Sequence, residues 1–189
     1  MITINIRIIS ILILLQYNTS VYCQPINDSS SVWVIKITNT KLANFYKIND
    51  SIYRSEQPRN LDFKMIDSIG IKSVLNLRSS QTDSDYINKL TLNLYNVEML
   101  PYNFDDKEII KALRILMYSP KPIVVHCLYG SDRTGVVIAM YRIIFQNWTK
   151  EQALNEMENG GYGFHKIYFN IPHYIRNANI EKLKKEISD

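Results

Sequence analysis

The stretch Pro122-Ile123-Val124-Val125 and the segment directly after it constrain this chain most. The run is short, apolar and uninterrupted, which is the pattern of a strand buried on both faces in the middle of a sheet. It leads directly into His126-Cys127-Leu128-Tyr129-Gly130-Ser131-Asp132-Arg133-Thr134-Gly135, and residues 134–145 then read as a strongly apolar helix. A central strand, a tight loop and a buried helix are one unit of an α/β fold.

The rest of the chain agrees with that class. Residues 32–37 (VWVIKI) read as a strand. Residues 45–48 and 52–54 read as two short strands around an Asn49-Asp50 turn. Asn60 is expected to cap a helix over 61–69 that ends at Gly70. Residues 71–77 (IKSVLNL) are a strand, 84–90 a helix and 95–100 a strand. Asp105 or Asp106 caps a helix over 107–118 with Ile109, Ile110, Leu113, Leu116 and Met117 on one face. Thr149 opens another helix, with Gln152 completing a capping box. The turn Gly160-Gly161-Tyr162-Gly163 ends it, and Pro172 starts a last helix that becomes charged over 181–186. Strands alternate with helices after residue 60. The expected fold is therefore α/β, a single domain with a central, mainly parallel sheet flanked by helices.

Length and composition fit one such domain. The chain has 189 residues, 46% hydrophobic and 21% charged, which excludes a wholly disordered or collagen-like protein. It has two cysteines, Cys23 and Cys127, too few for a disulfide scaffold or a cysteine-based zinc cluster. The net charge of +4 is a weak pointer to nucleic acid, and none is expected as a partner.

The N-terminus reads as a targeting segment. Arg7 precedes the apolar run over residues 8–15, and no acid appears before Asp28. This is the layout of a secretory signal peptide, and the run is short of the ~20 apolar residues of a membrane span. Cleavage is expected after Cys23. The alternatives are an uncleaved signal anchor, which would make the membrane a partner, or lipidation at Cys23. The expected organisation is a signal peptide over 1–23, a linker over 24–31 and a domain over 32–189, with export to the periplasm or beyond.

The loop after the central strand has the chemistry of an anion site. A chain curling between a strand end and a helix N-terminus points several backbone N–H groups into one cavity. Gly130 lets the backbone approach closely, and Arg133 offers a planar fork for two phosphate oxygens. Cys127 lies in the same positive field, where its thiolate is stabilised as a nucleophile. Leu128, Tyr129, Gly130, Ser131, Asp132 and Arg133 are the expected phosphate-binding residues.

His126, Cys127, Gly130, Arg133, Thr134 and Gly135 resemble the protein tyrosine phosphatase signature, His-Cys-x5-Arg-Ser/Thr, set between a strand and a helix. Tyr53-Arg54-Ser55-Glu56-Gln57-Pro58, the stretch 70–78 (GIKSVLNLR) and Gly160-Gly161-Tyr162-Gly163-Phe164-His165 look like segments of small bacterial dual-specificity-like phosphatases. The resemblance covers roughly residues 45–175. It implies a cysteine-dependent phosphatase fold, an attack by Cys127 that forms a cysteinyl-phosphate, and Arg133 holding the phosphoryl oxygens. It implies a general acid in the loop before residue 107, which is Asp105, with Asp106 the alternative. Thr134 is expected to hydrogen-bond Cys127, and His126 to order the loop through backbone contacts. No metal or cofactor is required.

Several residues keep two readings. Asp132 is expected to point outward and pair with a Lys or Arg. Arg54 and Arg78 either widen the anion site or serve structure. Tyr162, Phe164 and His165 either wall the pocket or pack. The expected substrate is a phosphorylated protein or peptide, phosphotyrosine above all, with an inositol phosphate or phosphoinositide as the alternative. A silent phosphate-binding module and a rhodanese-type sulfurtransferase are the remaining rivals; the latter would not require Arg133 and Thr134 in this register.

Overall fold

In β6 (Ile123–His126), alternate residues face two different hydrophobic cores. Ile123 and Val125 belong to the larger core, and Val124 to the smaller. A strand needs that alternation when helices cover both faces of its sheet. The architecture comes from a computed structural model, which describes residues 34–86 and 90–189. The expected signal peptide and linker lie outside those residues.

The sheet has six strands in the order β1-β2-β3-β6-β4-β5. They are β1 (Ile35–Lys36), β2 (Tyr46–Lys47), β3 (Ile52–Ser55), β4 (Ser73–Arg78), β5 (Asn93–Met99) and the central β6. The pairs β3–β6, β6–β4 and β4–β5 are parallel, while β1–β2 and β2–β3 are antiparallel. The mainly parallel sheet expected from the alternation of elements is present, with an antiparallel edge.

Helix α1 (Asn60–Ser68) covers the smaller core through Phe63 and Ile66. The larger core is covered by α2 (Asp106–Tyr118), α3 (Asp132–Phe145), α4 (Lys150–Asn159), α5 (Asn170–Asn177) and α6 (Ile180–Ser188). Helix α3 is buried around most of its circumference, as its strongly apolar sequence required, with Arg142 buried among the apolar residues.

Four elements depart from expectation. The strand expected over 32–37 is reduced, among the described residues, to Ile35–Lys36. Helix α1 starts one residue early, at Asn60 itself, with Arg59 as the cap and the Asp62 carboxylate accepting from Arg59 N. The helix expected over 84–90 is a short 3₁₀ turn at Ser84–Tyr86, beyond which residues 87–89 are not described. The single last helix is two: Pro172 sits inside the first turn of α5, where its missing N–H costs no hydrogen bond, and the chain breaks before Asn179 caps α6.

Candidate active site

The parallel trio β3, β6 and β4 ends on one side of the sheet, and the loop after β6 lies there, in the crevice outside the strand ends where open α/β sheets bind ligands. Cys127 is the first residue of that loop and is 1% exposed. Arg133 and Thr134 open α3 at its other end. The loop is clamped from three directions.

The first clamp is Arg54. Its side chain is buried, Nη2 donates to Gly130 O at 2.6 Å, and its guanidinium lies 3.6 Å from the centre of the Tyr162 ring. Burial pushes this guanidinium's pKa down, opposed by Tyr162, Glu156 and Cys127. Arg54 therefore underpins the loop backbone, and Tyr162 is a buried support and not part of a wall. The second clamp is Asn44, whose Nδ2 donates to Tyr129 O at 2.7 Å and to Tyr162 O at 3.0 Å, while Ser131 Oγ donates to Tyr162 O at 2.6 Å. The third is Gln57, whose backbone N donates to Leu128 O at 3.2 Å. Gly130 has φ +70, and a Cβ there would lie 2.5 Å from the Ser55 carbonyl carbon and 2.7 Å from Glu56 N. The freedom expected of Gly130 thus has a cause: β3 passes directly beneath it.

Among the described residues Asp132 does not pair with a Lys or Arg. Its partner is His165: Nδ1 lies 2.9 Å from Oδ2, and the His165 backbone N donates to Oδ1 at 2.9 Å. The Asp132 carboxylate is thereby held by hydrogen bonds and ties the 160–169 segment to α3. His165 meets the rings of Tyr129 at 5.5 Å and Tyr168 at 6.3 Å, so the rim carries Tyr129, His165 and Tyr168, while Phe164 packs against the larger core.

The other expected site residues divide. Arg133 Nη1 donates to Met99 O at 3.3 Å, while its Nε and Thr134 Oγ1 are buried without a hydrogen-bond partner among the described residues. The hydrogen bond expected from Thr134 to Cys127 is therefore not formed. His126 does meet the loop backbone, with Nδ1 3.3 Å from Cys127 O, but its Nε2 is 2.8 Å from the carboxylate of Asp83. No sequence signal marked Asp83, a polar residue in a polar stretch.

The two candidate acids are held differently. Asp105 caps α2, Oδ1 accepting from Lys107 N at 2.7 Å, and its side chain is otherwise exposed. Asp106 accepts at Oδ1 from Tyr174 Oη at 2.9 Å and at Oδ2 from Lys182 Nζ at 2.8 Å. The Lys182 ammonium, helped by Tyr174, holds Asp106 below the usual carboxylate range. A carboxyl that resists protonation makes a poor proton donor.

Beside the loop lies an open cleft of about 960 Å³, bounded by Leu128 and Tyr129 and by Lys41, Arg59 and Arg78. The carboxylates nearby turn to backbone, Glu56 to Ala43 N and Asp62 to Arg59 N. Arg78 Nη1 donates to Gln57 Oε1 at 3.0 Å, so Arg78 lies beside the site and not in the loop.

Comparison with known proteins places this geometry. Over 143 residues the chain is 29% identical to the dual specificity protein phosphatase TpbA of Pseudomonas aeruginosa, a stretch covering 75% of this chain and 65% of TpbA. It is 33% identical over 123 residues to the inositol diphosphatase SIW14 of Saccharomyces cerevisiae, covering 60% of this chain and 43% of that protein. The chain thus spans under two thirds of the length of either relative. The crystal structure of P. aeruginosa TpbA matches with a TM-score of 0.76 at 26% identity, over 85% of this chain and 99% of that one. TpbA has also been crystallised in complex with pTyr. Residues 40–188 match the profile of the tyrosine phosphatase family, with the Cys127–Arg133 loop inside the match, and the chain belongs to that family.

Proposed function

We propose that the protein is a cysteine-dependent phosphomonoester hydrolase of dual-specificity type, acting on phosphotyrosine above all. The observation that carries this reading is the loop itself. Buried Cys127 shares it with two buried polar atoms, Arg133 Nε and Thr134 Oγ1, that have no hydrogen-bond partner among the described residues. Buried polar groups are normally satisfied, and a phosphoryl group supplies the acceptor that Arg133 lacks.

In this reading the Cys127 thiolate attacks phosphorus, and the bond to the leaving oxygen breaks as that oxygen takes a proton from Asp105. Water then loses a proton to Asp105 and attacks phosphorus; the S–P bond breaks and inorganic phosphate leaves. Arg133 and the loop amides from Leu128 to Asp132 hold the equatorial oxygens in both steps. Asp105 is preferred to Asp106 because its exposed carboxylate caps α2 through backbone N–H groups and meets no cation among the described residues, whereas Tyr174 and the Lys182 ammonium engage both oxygens of Asp106. The experiment is phosphate release from phosphotyrosine and phosphoserine peptides by wild type and Cys127→Ser; retained turnover in the variant contradicts the reading.

Lys41 and Arg59, which form no ion pair among the described residues, and the neighbouring Arg78 support a second reading, an inositol phosphate or phosphoinositide substrate whose further phosphates would lie in the cleft. Faster release from these compounds than from phosphotyrosine peptides by several orders of magnitude favours it. We also infer export, with a signal peptide over 1–23 and a linker over 24–31. This rests on the apolar run after Arg7, and N-terminal sequencing of protein from separated cell fractions tests it.

A further inference from the structure

Asp83 is an acid in a stretch without regular structure, yet its side chain is 2% exposed. The stretch is pinned so that the carboxylate turns inward. Asn76 Nδ2 donates to Gln81 O at 2.8 Å, Asn76 Oδ1 accepts from Arg78 N at 2.8 Å, and Gln81 Nε2 donates to Tyr86 Oη at 2.6 Å. The Tyr86 ring stacks on Phe63 of α1.

Both carboxylate oxygens are used. Oδ1 accepts from Gln57 Nε2 at 2.9 Å, and Oδ2 lies 2.8 Å from His126 Nε2. Gln57 is itself fixed by Arg78 at Oε1 and by its backbone bond to Leu128 O. The His126 ring is fully buried, and its other nitrogen faces Cys127 O at 3.3 Å. A carboxylate and a carbonyl both only accept hydrogen bonds. The ring satisfies both only when both its nitrogens carry a proton, and the charge it then has is matched by Asp83. A buried ion pair is weak support for stability, so its position one residue from the nucleophile is the more informative fact.

We propose that Asp83 is a positioning residue: through His126 it fixes the carbonyl and orientation of Cys127 and keeps a positively charged ring beside the thiolate. The inference rests on Cys127 being the nucleophile and adds the residue that prepares it.

The test is alkylation of the full chain by iodoacetate at mildly acidic pH, followed at the Cys127 peptide, together with steady-state kinetics on a phosphotyrosine peptide. Asp83→Asn keeps the shape and removes the charge. Its alkylation rate and kcat are expected to fall about tenfold, the factor that one unit of lost thiolate stabilisation represents, with KM nearly unchanged. His126→Asn should do the same, and the double variant should be no worse than either single one, because the two act as one unit. A purely structural role would lower the melting temperature without moving alkylation. Wild-type alkylation and kcat in folded Asp83→Asn, or additive losses in the double variant, overturn the proposal. If Asp83→Asn does not fold, Gln57→Met loosens the same carboxylate while leaving the ion pair; it should show a smaller loss in the same direction, and wild-type alkylation there overturns the proposal too. A wild-type Cys127 that resists alkylation, or turnover by Cys127→Ser, instead defeats the nucleophile assignment.

Discussion

Replacing Gly130 by alanine isolates the role of loop shape from that of loop chemistry. The new methyl group would begin 2.5 Å from the Ser55 carbonyl carbon and 2.7 Å from Glu56 N, both backbone atoms of β3 and the residue after it. Ordinary contact begins at 3.4 Å, so the loop must lift by about 1 Å, and a misplacement of about that size costs an active site on the order of 10²-fold. The φ of +70 adds roughly 1–2 kcal/mol of backbone strain. Gly70→Ala is the control. Its φ is +89, a Cβ there meets nothing within 4 Å, and it lies beyond α1, away from the loop. It should lose a comparable strain energy, a fall of about 2–8 °C in Tm, with kcat/KM unchanged. The assay is kcat/KM on an aryl phosphate beside thermal melting of both variants. Equal activity in Gly130→Ala and wild type, or equal activity losses in the two variants, refutes the claim that β3 sets the loop's position.

Three further perturbations test other parts of the molecule. Asp105→Asn should remove the basic limb of the pH–rate profile with little loss of stability, since asparagine caps a helix about as well as aspartate; a profile with its basic limb intact means that the acid lies elsewhere. Asp106 is depressed in the folded state by Lys182, so its contribution to stability is present above its unfolded pKa and is lost as pH falls through the lower folded value. Acid melting curves of Asp106→Asn should therefore fall less steeply below about pH 4 than those of wild type, and parallel curves contradict the pairing. Arg142→Ala leaves Glu156 buried at 1% exposure without the guanidinium that now meets both its oxygens at 2.9 and 2.7 Å. The expected loss is about 3–5 kcal/mol, read as a drop in the urea midpoint, and a loss under about 1 kcal/mol would show the pair to be dispensable.

The residues legible in the sequence are those whose type is dictated locally. A strand buried on both faces must be apolar throughout, and a tight anion loop needs Gly130 and a helix start at its end, so β6, the loop and α3 could be read directly. The capping box at Thr149 and Gln152 was legible for the same reason. What escaped depends on contacts far apart in the chain. Asp132 meets His165 across 33 positions and Asp83 meets His126 across 43. Arg54 reaches Gly130 across 76, which decides between an anion ligand and a structural support. The bond expected from Thr134 to Cys127 failed because the spacing of the loop does not fix where a hydroxyl points. The break between α5 and α6 escaped because Ala178 carries no stop signal, and only the capping side chain of Asn179 marks the restart.

The central claim is that Cys127 carries the phosphoryl group during turnover. Rapid acid quenching of the full chain during steady-state hydrolysis of a radiolabelled phosphotyrosine peptide, followed by peptide mapping, reads it directly. Label is expected on the peptide containing Cys127 in wild type, more of it in Asp105→Asn if the second step is slowed, and none in Cys127→Ser. Label on any other peptide, or turnover with no labelled cysteine at all, contradicts the claim.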